Sequence, residues 1–105
     1  MKAYLKGIDK EYEIPKGESI VGRHIQNSVA DIQIQELGME NISRNHCELE
    51  NHEGILRIKD LDSKNGTYIN DQKMDSHESY QLNNLDLLKL GNCTLEVKIK
   101  QSLFG

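Results

Sequence analysis

A chain of 105 residues with 36% hydrophobic and 29% charged side chains can build one modest core under a large solvated surface. Leu, Ile, Val and Phe supply 27 residues, above the share of roughly 20% below which chains tend to stay unfolded. The formal net charge of -4 argues against nucleic acid as the main partner, since duplex binding rests on neutralising phosphates, and no apolar run nears the roughly 18 residues that cross a bilayer.

Taken in chain order, short alternating segments recur with turn signals between them, which points to an all-β sandwich or barrel. Ala3 to Lys6 and Glu11 to Ile14 read as a hairpin around Gly7-Ile8-Asp9-Lys10. Ser19 to Arg23 and Asp31 to Ile34 follow as strands. Cys47-Glu48-Leu49-Glu50 and Leu56-Arg57-Ile58-Lys59 alternate apolar with charged residues on either side of a turn at Asn51-His52-Glu53-Gly54. Thr67 to Asn70 and Leu87 to Leu90 read as further strands. Leu82, Leu85 and Leu88 have the spacing of a brief helical face, but Asn83-Asn84 favours strand, turn, strand. Leu95 to Lys100 alternates most strictly, so one face should be buried and the other solvated. No long helix, internal repeat or Pro- or Ser-rich linker is legible. Gln101 to Gly105 lie past the last alternating segment, as a frayed end or the start of a connection.

Three stretches far apart in sequence carry the chemistry: Gly22-Arg23, Ser43-Arg44-Asn45-His46, and Asp60-Leu61-Asp62-Ser63-Lys64-Asn65-Gly66-Thr67 followed by Tyr68-Ile69-Asn70. Each sets a cation, a hydroxyl or an amide in a turn-like context, and the loops of a sandwich gather at its two ends. A guanidinium gives an oxyanion two parallel charge-assisted hydrogen bonds. Two arginines and a hydroxyl therefore match a phosphorylated side chain, which carries about -1.5 to -2 charges and three acceptor oxygens. For a cationic pocket to form, Arg23, His24, Arg44 and Lys64 must cluster in space.

The pattern GR…SRxH…DLxSxNGTxxN, in this order, resembles the forkhead-associated (FHA) domain, a phosphothreonine-reading module; the likeness covers about Ile20 to Gly91 of a single domain spanning 1–105. It implies a sandwich of two mainly antiparallel sheets with about eleven short strands and neighbouring termini. It also implies that Arg23, Ser43 and Arg44 bind the phosphate, that Asn65 holds the peptide backbone beside it, and that Lys64 adds a phosphate contact. The remaining motif residues are expected to support the pocket. Gly22 permits an unusual turn, and His46 braces the loops from behind at the start of a strand. Gly66 takes a positive φ, while Thr67 and Asn70 fasten loop backbone.

Two departures stand out. Leu85-Asp86 replaces a common Gly-Asp, and Asp71 stands where Gly is frequent. Asp tolerates a left-handed backbone and Leu does not readily, so the turn near Leu85 is expected to be of another type.

Other chemistry finds little support. Ser43 and His46 could suggest a nucleophile and its base, but no acidic partner is identifiable and the Gly-x-Ser-x-Gly elbow is missing. His24, His46, His52 and His77 lack metal-ligand spacing, and Cys47 and Cys93 form no CxxC. The expectation is a binding module with no metal, cofactor or enzymatic activity. Its partner should be a phosphothreonine-containing protein within Ser/Thr kinase signalling, and neither a nucleic acid nor a membrane. The rival reading is a scaffold on the same sandwich that assembles independently of phosphate. The chain has two threonines, Thr67 inside the motif and Thr94 opening a strand, so the ligand is expected in trans. With no leader pattern after Met1, the cysteines are expected as reduced core residues, in the cytosol or nucleus.

Overall fold

The alternation becomes two stacked sheets in the computed structural model, which describes residues 2–100. The strands are β1 (Lys2–Lys6), β2 (Glu11–Ile14), β3 (Gly17–Arg23), β4 (Ile32–Ile34), β5 (Cys47–His52), β6 (Ile55–Asp60), β7 (Thr67–Ile69), β8 (Gln72–Lys73), β9 (Ser79–Leu82), β10 (Leu87–Leu90) and β11 (Cys93–Lys100), with one 3-10 turn at Met39–Asn41. One sheet has the order β2-β1-β11-β10-β7-β8 and the other β4-β3-β5-β6-β9. The β3–β4 pair is parallel and the other strand pairs are antiparallel. The expected all-β sandwich of mainly antiparallel sheets is what forms.

Alternation decides which side chains meet between the sheets. Leu5, Leu88, Leu90, Leu95 and Val97 point inward from one sheet, and Val21, Ile34, Leu49, Leu56, Ile58 and Leu82 from the other. Their charged neighbours face out. Cys47 and Cys93 are unbridged and buried in this core, as expected. Asn51, also buried, donates from Nδ2 to the Ile14 carbonyl at 3.2 Å and so ties β5 to the end of β2. Lys2 stands opposite Lys100 across β1 and β11, so the described ends are neighbours. Gln101 to Gly105, expected as a frayed end or a connection, lie outside the described residues.

Several boundaries differ from expectation for local reasons. The β5–β6 loop is only Glu53-Gly54, both left-handed (φ 52 and 79), so Asn51 and His52 remain in β5. Asn70 and Asp71 are also both left-handed (φ 48 and 69) and close a two-residue turn between β7 and β8, as a type I′ hairpin requires. Asn70 therefore leaves the expected strand. Leu85 takes φ 73, so the left-handed turn is kept despite the side chain. Hydrogen bonds hold it there: Leu85 N–H to the Val97 carbonyl at 2.7 Å and Asp86 N–H to the Asn83 carbonyl at 3.1 Å. Leu82 ends β9 and Leu88 lies in β10, which gives strand, turn, strand.

Candidate functional site

The end of β3, the loop that leads into β5 and the β6–β7 loop are laced together at one end of the sandwich. The Arg23 N–H donates to the Ser43 carbonyl at 3.1 Å. Ser43 Oγ accepts the Lys64 N–H at 3.0 Å, and Asn65 Nδ2 donates to the Asn41 carbonyl at 2.9 Å. Arg23 reaches the same 3-10 turn, with Nη1 donating to the Glu40 carbonyl at 3.1 Å. Arg23, Ser43, Lys64 and Asn65 thus share one rim, and Arg44 follows Ser43 on it with an exposed side chain. His24 is absent from this group. It turns onto β4 instead, with Nδ1 3.1 Å from Gln33 Oε1, as alternation along β3 dictates.

Close approach explains Gly22. A Cβ built there would stand 1.6 Å from the Arg44 carbonyl oxygen, so only glycine lets β3 carry Arg23 against the Ser43–Arg44 backbone. This differs from the permissive turn expected at Gly22, which lies within β3. Gly66 has the expected positive φ, 87.

The donors at this rim keep free capacity. Ser43 Oγ serves the Lys64 N–H as an acceptor, so its own proton remains available to donate. Among the described residues neither arginine is ion-paired with a carboxylate. Arg23 Nε is buried with no hydrogen-bond partner there, while the outer nitrogens of its fork remain for a ligand beyond the Glu40 contact.

His46 is fully buried and stands one residue ahead of β5, behind the rim. Its Nδ1 accepts the Ser43 N–H at 3.0 Å, and Nε2 lies 2.9 Å from the Gly66 carbonyl. With Nδ1 accepting, Nε2 carries the proton, and one neutral ring bridges two motif loops. Burial pushes its pKa below the ordinary imidazole value and outweighs the upward pull of the Gly66 carbonyl and the Asp60 charge. Folding therefore excludes a proton that the unfolded chain accepts. The stability His46 supports is complete above about pH 6.5 and is lost as pH falls from there through the folded-state value. Thermal melts of the ligand-free domain should show the midpoint falling over that window. His46→Ala should lower the midpoint by roughly 10–20 °C, on the order of 2–4 kcal/mol for a lost buried ring and two lost bonds, and flatten the slope. An unchanged midpoint would contradict the brace.

Asp60 is a second hub, which sequence reading placed in the motif without a role. It is buried and takes hydrogen bonds from Ser63 Oγ at 2.5 Å, Thr67 Oγ1 at 2.6 Å, Ser76 Oγ at 3.0 Å and the Ser63 N–H at 3.2 Å. Burial alone would raise its pKa, but these four donors together hold it below the ordinary carboxyl value. The Thr67 hydroxyl thus fastens a carboxylate, where a bond to loop backbone was expected. Asn70 does hold backbone: its Oδ1 accepts the Leu87 N–H at 2.9 Å and its Nδ2 donates to Asp86 Oδ1 at 3.0 Å. Asp62 and His77, both left-handed, meet at 2.8 Å and tie the β6–β7 loop to the β8–β9 loop. The bond from His77 also lowers the Asp62 pKa. Asn41 and Glu40 were missed because they serve through backbone carbonyls, which no side-chain motif encodes.

The FHA domain family model matches residues 19–91. An FHA domain-containing protein of Arabidopsis thaliana is 36% identical over 74 residues, 70% of this chain, and the match spans 18% of that protein's length. Among solved structures, an FHA domain studied for its phosphothreonine-dependent interactions superposes with a TM-score of 0.79 at 26% identity, covering 97% of this chain and 100% of that one. The FHA domain of the CT664 protein from Chlamydia trachomatis does so with a TM-score of 0.79 at 25% identity, over 96% of this chain and 100% of that one. Fold, motif geometry and these matches agree: the chain belongs to the FHA domain family.

Proposed function

We propose that this chain acts as a single binding module, without catalysis, that recognises phosphothreonine-containing segments of other proteins. The observation that carries this reading is the rim itself. Two guanidinium groups with no carboxylate partner among the described residues, a serine with a free proton and an exposed lysine are brought together by hydrogen bonds between their loops, and beyond the Arg23 contact to Glu40 their donors are left for a ligand. Arg23, Ser43 and Arg44 grip the phosphate, Lys64 adds charge, and the Asn65 amide holds peptide backbone while anchored to Asn41. Gly22, His46, Gly66, Thr67 and Asn70 keep these groups in register. The likeness to a domain with phosphothreonine-dependent interactions supports the choice of ligand.

The ligand comes from another protein or from a segment beyond these 105 residues, because Thr67 is buried and bonded to Asp60, and Thr94 is paired within β11 against β10. A place in Ser/Thr kinase signalling, in cytoplasm or nucleus, follows from that ligand.

The experiment is a calorimetric titration of a phosphothreonine peptide, its unphosphorylated twin and a Glu-substituted version. The phosphorylated form alone should bind well, and more weakly below about pH 6, where its second ionisation is reversed. Equal affinity for the twin would favour a phosphate-independent scaffold, and a Glu peptide that matched phosphothreonine would point to general acidic-patch recognition.

A further inference from the structure

The outward face of the β2-β1-β11-β10-β7-β8 sheet carries a feature that the phosphate site does not use. Lys73 on β8 and Lys89 on β10 both stand directly opposite Tyr68 on β7. Cross-strand partners project to the same face, so the three side chains form one row, lysine, tyrosine, lysine. Lys89 Nζ lies over the Tyr68 ring, 5.3 Å from its centre. Lys73 is exposed, while Tyr68 and Lys89 are half-buried.

The row begins where the phosphate rim ends. A Cβ placed on Gly66, next to Asn65, would lie 3.2 Å from Lys73 Cε and 3.2 Å from Tyr68 Cε1. A segment held at Asn65 that continues past Gly66 therefore meets Lys73 and Tyr68 first, and Lys89 one strand further on. Two strand spacings make the row about 10 Å long, which an extended segment crosses in roughly three residues at about 3.3 Å each.

Charge gives the row its meaning. The chain as a whole is acidic, at -4, yet this strip holds two cations and, among the described residues, neither is ion-paired with a carboxylate. Glu96, on the same face, is taken up by Lys98 at 3.4 Å, and Glu11 and Glu13 lie on β2 at the far edge of the sheet. Asp71 stands in the β7–β8 turn, outside the row. An anionic side chain laid over Tyr68 would neutralise lysines on both sides of it.

We propose that the Lys73–Tyr68–Lys89 row is an interaction surface for acidic side chains, carboxylate or a second phosphate, within the same segment that presents the phosphothreonine. The proposal rests on the phosphothreonine reading and deepens it: the preferred partner carries acidic residues a few positions from the phosphorylated threonine, and the row selects among phosphothreonine segments.

The test uses three phosphothreonine peptides of equal length. One has neutral flanks, one carries aspartates before the phosphothreonine, and one carries them after it. Titrations are run on the full chain and on the Lys73→Gln/Lys89→Gln double variant, in which both cations are replaced by neutral polar side chains. One acidic peptide should bind the unaltered chain about three- to tenfold more tightly than the neutral one, and the gain should shrink with added salt, as for exposed charge pairs. The double variant should lose that gain, bind the neutral peptide within twofold of the parent and melt at the same temperature. A gain that survives in the double variant, or no gain from either acidic peptide or from a diphosphorylated one, overturns the proposal. A diphosphorylated peptide with neutral residues elsewhere separates the two anion sources, and a gain from either source supports the row. Failure of the underlying reading has a different signature: the neutral phosphothreonine peptide then does not bind at all.

Discussion

Arg23→Ala should remove measurable phosphopeptide binding while leaving the fold in place. The guanidinium sits at the end of β3 with Nη1 fixed on the Glu40 carbonyl at 3.1 Å, and no carboxylate among the described residues neutralises it. Its aim is set in advance by the backbone bond from Arg23 to Ser43 and by the contact of Gly22 with Arg44. Truncating one member of a buried charge pair costs on the order of 2–5 kcal/mol. At about 1.4 kcal/mol per tenfold, affinity falls by roughly 30-fold to several thousand-fold. Stability should change little, because the variant also removes a buried Nε that lacks a partner among the described residues. Arg23→Lys should recover little, since a point-like ammonium cannot give the forked contact. Calorimetric titration with parallel thermal melts separates these effects. A Kd within twofold of the parent would remove Arg23 from the site.

The strands that carry alternation were legible because burial of one face is written into every second residue, as in Leu95, Val97 and the charged residues between them. β8 escaped notice, and β9 was expected only as an unbounded strand ahead of Asn83-Asn84, for the opposite reason. Gln72 and Lys73 are both exposed, and β9 buries only Leu82 of its four residues, so neither prints a hydrophobic pattern. The side chains that gather at the rim were also legible, because arginine, serine and asparagine in turn contexts carry their chemistry with them. What holds them was less so. The 3-10 turn at Met39–Asn41 buries no residue, yet its carbonyls anchor Arg23 and Asn65. Leu85 shows a limit of local propensity, since a left-handed leucine is disfavoured by sterics and is held in place by the Val97 carbonyl, twelve residues away. Asp60 could be read as a motif letter, but four donors converging on one carboxylate exist only once β6, β7 and the segment after β8 have met.

That convergence makes Asp60→Ala the most damaging single change expected outside the rim. The carboxylate is 2% exposed, and its removal strands the Ser63 N–H and the Ser63, Thr67 and Ser76 hydroxyls around a small cavity. Hydroxyls can rotate to other acceptors and the backbone N–H cannot, so the expected loss is about 3–5 kcal/mol and not the sum of four bonds. In a domain of this size that lowers the melting midpoint by roughly 12–30 °C. Asp60→Asn should be milder but still destabilising: the amide keeps one acceptor for Thr67 and Ser63, while its NH2 faces the Ser63 N–H, donor against donor, and only the Ser76 hydroxyl can turn to accept from it. The pH dependence identifies the charge itself. Donors hold the folded Asp60 pKa below the unfolded value of 3.8, so its contribution is complete above about pH 4 and is lost as pH falls through the folded pKa. The parent should therefore lose stability on acidification in two stages, the His46 stage beginning near pH 6.5 and the Asp60 stage below about pH 4. Asp60→Asn should keep the first and weaken the second. Because Ser63 and Thr67 bracket Lys64 and Asn65, the same variant should also bind phosphopeptide more weakly at neutral pH. An Asp60→Asn domain that melted with the parent's midpoint and acid profile would show that this carboxylate does not hold the recognition loop.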